Sequence, residues 1–159
     1  MRHTGCELCD GHGGELIVRH EQWRLVRVPG DDGAAYPGFC RVVWNEHIKE
    51  LTDLGVEDRQ VFMDVVFKLE GVLREALHPE KMNVASLGNL TPHLHWHVIP
   101  RYRDDPAFPK PIWAISAPPT SSLAKLTVKR ERVNAHDEPK WVLAVKRAFA
   151  ATDIGSATR

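Results

Sequence analysis

From His93 to Ile99 the chain reads His-Leu-His-Trp-His-Val-Ile, with histidine and an apolar residue alternating three times. That period of two fits a β-strand, in which successive side chains point to opposite faces. On such a strand His93, His95 and His97 share one face, and Leu94, Trp96 and Val98 share the other. The apolar face can be buried. The histidine face must then border a metal, a phosphate or water. Three readings follow. The first is an exposed polar face that happens to be rich in histidine. The second is a metal site, because neutral imidazole is a common ligand and same-face residues rise only about 6.6 Å. The third is phosphoryl chemistry with one histidine as nucleophile. Nine histidines in 159 residues make strict alternation of three a poor fit to chance, which weighs against the first reading.

The rest of the composition narrows the class. A chain of 159 residues, 43% hydrophobic and 26% charged, has the size and balance of one globular domain that can bury a core without disulfides. Basic and acidic residues number 21 each, so a partner gripped mainly through many phosphates, such as long nucleic acid, is not expected. A pocket for one nucleotide is compatible with that balance. No apolar run approaches a membrane span, and the first residues lack the apolar core of a signal peptide, so no membrane partner and a cytoplasmic location are expected. Cys6 and Cys9 form a C-x-x-C pair, which in a reducing compartment points to metal or redox chemistry. Cys40 lies in an apolar run and reads as a small buried hydrophobe.

Local patterns predict an α+β domain with a mostly antiparallel sheet. Residues 6 to 14 read as a turn-rich knuckle. Glu15 to His20 and Trp23 to Val28 suit a hairpin. Pro29 to Gly38, rich in glycine, proline and aspartate, reads as a loop, and Phe39 to Trp44 as an apolar strand. From Val56 to Leu77, residues Val61, Phe62, Val65, Val66, Leu69, Val72 and Leu73 recur at helical spacing. Gly55 serves as the N-cap, and Pro79 ends the helix. Met82 to Leu87 is a further strand, Gly88 to Pro92 a turn, and His93 to Ile99 the histidine strand. The proline-rich stretch 104 to 122 should wrap the surface. Pro139 to Ala151 predicts a second amphipathic helix.

The histidine strand and its context resemble the histidine triad (HIT) family of nucleotide hydrolases and transferases. HLHWHVI matches that family's signature. CELC, YPGFCRVVWNEHIKELTDLGVED, NVASLGN and IPR occur around it in the family's order, so the likeness covers roughly residues 6 to 103. It implies a HIT-like fold, a five-stranded antiparallel sheet with one long helix and a C-terminal helix, paired into a homodimer. Residues 1–118 would form the HIT domain and residues 119–159 a C-terminal extension with the second helix. The resemblance makes His95 the nucleophile toward a nucleotide's α-phosphorus, forming a covalent nucleotidyl-histidine that water resolves. A backbone carbonyl accepting the Nδ1 proton would leave the attacking nitrogen free. His97 could donate to phosphate oxygens. Gly88 and Asn89 could do the same from a turn, although Asn89 reads equally well as a plain turn residue.

Two departures from the family pattern stand out. Many HIT proteins carry a fourth histidine after a proline-glycine pair, and here that position is Phe39. Residues 104 to 159 have no clear counterpart. In some branches this region reaches the active site, which makes Trp113 either a substrate-selecting residue or one that packs on the domain. The resemblance also implies a structural zinc, at Cys6, Cys9, His47 and His93. Two thiolates and two imidazoles suit tetrahedral zinc, and His3 and His12 are rival ligands. Asp31 or Asp32 could hold a ribose, or could simply be solvated. The substrate implied is a nucleotide phosphoanhydride, such as a dinucleoside polyphosphate, or a nucleoside phosphoramidate. The alternatives are a hydrolase using the three histidines as catalytic-metal ligands, and a non-enzymatic, zinc-stabilised nucleotide-binding protein. The second helical ridge, Met63 and Phe67, would face either a second subunit or the C-terminal helix.

Overall fold

A computed structural model describes residues 2–114 and 138–150. The elements run α1 (Glu7–Asp10), β1 (Glu15–Arg19), β2 (Trp23–Arg27), α2 (Gly30–Ala35), β3 (Cys40–Trp44), a 3-10 turn (Leu51–Asp53), α3 (Val56–Leu77), β4 (Lys81–Ser86), β5 (His95–Arg101), a second 3-10 turn (Ile112–Ala114) and α4 (Lys140–Ala150). The strands form one sheet in the order β1-β2-β3-β5-β4, with every pair antiparallel. The expected five-stranded α+β architecture is therefore present. Residues 115–122 of the proline-rich stretch, most of the proposed extension and Ala151 lie outside the described residues.

Strand alternation divides the side chains between two environments. Trp23, Leu25, Cys40, Val42, Trp44, Val98 and Met82 face the helices. Against them α3 sets Phe62, Val65, Val66, Leu69 and Leu73, all fully buried, and α4 adds Val142, Val145 and Phe149. Burying one such side chain contributes about 1.5–3 kcal/mol, so this interface is the main source of the sheet's stability. Leu94 joins the same core, which extends the alternation one step before β5 begins.

The opposite face is covered in two patches. At one, Cys6, Leu8 and Cys9 of the knuckle pack on Val26 and Val43. At the other, Val28, Tyr36 and Phe39 pack on Ile99 and Ala107. Buried Arg24 ties the knuckle down, donating to the carbonyls of Leu8 (2.6 Å) and His12 (2.9 Å) and to Asn45 Oδ1 (3.0 Å). Arg101 organises the second patch. Its guanidinium donates to both Asp105 oxygens (2.7 and 2.9 Å) and to Asn83 Oδ1 (2.6 Å). Asp105 also accepts from the amides of Tyr102, Ala107 and Phe108. Burial pushes the Asp105 carboxyl up, but the Arg101 guanidinium and these amides outweigh it and hold the group below its ordinary value.

Several boundaries differ from the sequence expectation. The stretch read as a loop at 29–38 contains the six-residue α2. Asp31 and Asp32 sit in its first turn, where acidic groups favour the helix dipole, and two alanines follow. The regular ladder of β5 starts at His95 rather than His93, because the His93 amide turns back to the Thr91 carbonyl (2.8 Å). β4 begins and ends one residue early, at Lys81 and Ser86. Gly38, with φ +89°, feeds the chain into β3, and a Cβ there would meet Leu77 Cδ1 at 2.4 Å. Phe39 then lies on the face away from the helices, opposite to Cys40.

Candidate functional site

The second and third triad histidines lie on the face away from α3. His95 and His97 are 8% and 6% exposed, and their rings meet edge to face at 4.9 Å between centroids. The His95 ring is oriented by the chain just before it. Its Nδ1–H donates to the His93 carbonyl at 2.6 Å, which leaves Nε2 with its lone pair. Burial holds the His95 imidazole below its ordinary value, against the bond to His93, and the charge of Arg41 adds to the lowering. A neutral imidazole with one nitrogen anchored and the other free is equipped for nucleophilic attack.

His97 is more strongly perturbed. Burial, then His95, then Arg41 push it down to about 3. At neutral pH it is an uncharged hydrogen-bonding group and cannot act as a cation. Its Nδ1 is buried without a partner among the described residues. Phe39 lies 5.7 Å from its ring, and Trp113 meets it edge-on at 5.0 Å while remaining 46% exposed. Trp113 therefore stands at the histidines rather than elsewhere on the domain.

This perturbation has a measurable consequence. Between pH 6.5 and about 3 the unfolded chain binds a proton at His97 that the folded chain refuses. Stability therefore rises with pH across that window and is lost as pH falls through it. His93 and His95, both also lowered mainly by burial, act in the same direction. His97 alone contributes about 2 kcal/mol of loss by pH 5, a Tm fall of roughly 4–8 °C. Calorimetry between pH 7.5 and 5 checks this, and a Tm that stays flat over that range contradicts it.

His93, 1% exposed, faces a different group of residues. Its Nδ1 lies 3.4 Å from Cys6 Sγ and 3.6 Å from Cys9 Sγ, and Cys9 Sγ lies 3.5 Å from His47 Nδ1. All four ligand atoms fall within 4.8 Å of one another. Tetrahedral zinc, with sulfur at about 2.3 Å and nitrogen at about 2.0 Å, sets neighbouring sulfur and nitrogen about 3.5 Å apart. The donor set and the spacing both fit. The outer hydrogen bond fits as well, since His93 Nε2–H donates to the Trp44 carbonyl at 2.7 Å and aims the Nδ1 lone pair at the thiols. His3 stacks on His47 at 4.7 Å, and His12 pairs with Arg19; neither is in the four-residue cluster.

The remaining candidates are more dispersed. Gly88, with φ +78°, and exposed Asn89 lie in the loop between β4 and β5. Exposed Asp31 and Asp32 open α2. Sequence reading overlooked Arg41, which stands directly across the sheet from His97. Its signal was a charged residue in an otherwise apolar strand. Burial lowers the Arg41 guanidinium, and Asp32 and then Glu7 partly oppose that.

An antiparallel sheet carrying two buried neutral imidazoles, one of them anchored, beside a Cys2His2 cluster defines an α+β protein with a histidine-rich site. The model of the HIT domain matches residues 20–104. The chain is similar in structure to a histidine triad protein from Bradyrhizobium japonicum, with 22% identity and a TM-score of 0.64 over 86% of this chain and 91% of that one. A histidine triad protein from Marinobacter aquaeolei VT8 shares 27% identity, with a TM-score of 0.62 over 79% of this chain and 94% of that one. A third, from Sinorhizobium meliloti 1021, shares 24% identity and a TM-score of 0.59, over 73% and 86% of the two chains. Comparison with curated proteins gives no match. The chain belongs to the HIT family.

Proposed function

We propose that the protein is a nucleotide hydrolase or nucleotidyl transferase working through a covalent nucleotidyl-His95. The observation that carries this reading is the hydrogen bond from His95 Nδ1–H to the His93 carbonyl, which leaves Nε2 free to attack. Nε2 forms a bond to the α-phosphorus while the bond from phosphorus to the leaving group breaks, and the leaving atom takes the electron pair. Water then attacks the same phosphorus. The nitrogen–phosphorus bond breaks, its electron pair returns to Nε2, and the water proton passes to solvent. His97 donates a hydrogen bond to the phosphate oxygens, and the turn at Gly88 and Asn89 supplies further donors. Asp31 or Asp32 holds the ribose.

The four-residue cluster would hold a structural zinc, which supplies a cross-link between knuckle and sheet. The same geometry speaks against a catalytic metal held by all three histidines, because His93 turns its Nδ1 to the thiols while His95 and His97 are outside the cluster. Among the described residues no helix is long and apolar enough to cross a membrane. Free Cys6, Cys9 and Cys40 suit a reducing cytoplasm. A homodimer belongs to the same proposal. Phe67, 58% exposed despite α4, is the apolar side chain that it would cover, and light scattering at twice 18.0 kDa checks it.

The test is a panel of dinucleoside polyphosphates and nucleoside phosphoramidates, each labelled at the α-phosphorus, quenched in acid-free denaturant. Label retained on the protein, mapped to His95, is expected. Turnover with no trapped label at any time point, or label on another residue, contradicts the covalent route. A chain that binds nucleotide without turnover supports the non-enzymatic alternative.

A further inference from the structure

β3 reads Cys-Arg-Val-Val-Trp, and Arg41 is its one charged residue. Val26, Arg41, His97 and Ala85 lie side by side on β2, β3, β5 and β4, and therefore on one face of the sheet. Arg41 is the direct cross-strand neighbour of His97 and the diagonal neighbour of His95, within reach of a long side chain. Its Nη1 donates to the Gly13 carbonyl at 2.7 Å, while its Nε–H is buried without an acceptor among the described residues. Among the described residues no carboxylate forms an ion pair with it. The guanidinium carbon lies 5.9 Å from the centre of the Phe39 ring, the position where many family members carry a fourth histidine.

A half-buried guanidinium with an unused N–H, set beside two neutral imidazoles, is a site for an anion. We infer that Arg41 binds the leaving phosphate of the substrate and commits this chain to nucleotidyl phosphoanhydrides over phosphoramidates. The inference rests on the covalent reaction proposed above. When a phosphoanhydride is cleaved, the phosphorus–oxygen bond breaks and the oxygen leaves with the electron pair, so negative charge grows on the departing phosphate. A guanidinium fork matches that group in charge and shape. When a phosphoramidate is cleaved, the phosphorus–nitrogen bond breaks and the nitrogen takes a proton from solvent to leave as an amine. No anion departs, and Arg41 has nothing to stabilise. His97 cannot replace it, since the imidazole stays uncharged at neutral pH.

The experiment compares wild type, Arg41→Gln and Arg41→Lys on two probes, diadenosine tetraphosphate and adenosine 5′-phosphoramidate, with folding checked by circular dichroism. Arg41→Gln is expected to lower kcat/KM on the tetraphosphate by about 100-fold and to leave the phosphoramidate within about threefold, with Arg41→Lys recovering part of the loss. An equal fall on both probes overturns the inference, because a purely structural role through Gly13 does not discriminate between leaving groups. So does an unchanged tetraphosphate rate. If wild type turns over neither probe, the proposed reaction fails, and Arg41 is judged by calorimetry with ADP and AMP. An ADP preference that disappears in Arg41→Gln supports its phosphate role; equal binding of both nucleotides by wild type refutes it. If Arg41→Gln does not fold, Arg41→Lys carries the comparison, with a larger loss on the tetraphosphate than on the phosphoramidate expected and equal losses overturning the inference.

Discussion

His95→Asn is expected to abolish turnover while nucleotide binding survives. Asparagine keeps a polar group of similar reach, and its side-chain N–H can still donate to the His93 carbonyl that anchors the imidazole. Its amide nitrogen lone pair is delocalised into the carbonyl and does not attack phosphorus. The loss should therefore fall on kcat, by roughly 10⁴-fold or more, with the dissociation constant for nucleotide changed by only a few-fold. His95 is 8% exposed and is not part of the helix-side core, so Tm should stay close to that of wild type. Single-turnover kinetics with calorimetry separate the two effects. Turnover within tenfold of wild type would rule out His95 as the nucleophile. A parallel collapse of binding and Tm would show instead that the imidazole acts as packing.

The second large effect is expected at the cysteines. Cys6→Ser or Cys9→Ser should remove about one zinc per chain, measured by elemental analysis of protein purified without a metal-binding tag. Four ligand atoms within 4.8 Å of one another bring two thiols close to two imidazoles. A bound cation would cross-link through them segments up to 87 residues apart in sequence. Structural zinc contributes on the order of 10 kcal/mol in domains that depend on it wholly. This chain also has its own core, so a smaller share is expected, lowering Tm by roughly 10 °C or more. Activity should fall less than in His95→Asn. The effect would be indirect, because ligand His93 also supplies the carbonyl that orients His95. No metal in freshly purified, reduced wild type would defeat the site. Chelation that kills activity while leaving the fold intact would favour the catalytic-metal alternative.

Some of the site was legible because its information is local. Alternation of histidine and apolar residues defines two faces whatever the rest of the chain does, and Leu94 and Val98 do pack toward the helices while His95 and His97 turn away. The 22-residue α3 matches its period from Val56 to Leu77 for the same reason. The C-x-x-C pair pointed to a candidate metal cluster by its spacing, and family resemblance supplied its neighbours His47 and His93. In α2 local reading failed, since glycine and aspartate serve a loop and a helix start equally well.

Everything that depends on strand order needed the tertiary structure. β3 pairs with β5 across an intervening helix and strand, and that register alone puts Arg41 beside His97. No local period encodes a partner more than 50 residues away. Long-range packing likewise folds Trp113 back to His97 and gathers Cys6, Cys9, His47 and His93 within ligand distance. The sequence by itself determined which side chains share a face and which residue types could do chemistry. Tertiary packing decided which of them meet, because burial of the α3 and α4 faces fixes the register, and a one-residue slip would turn every histidine of β5 into the core.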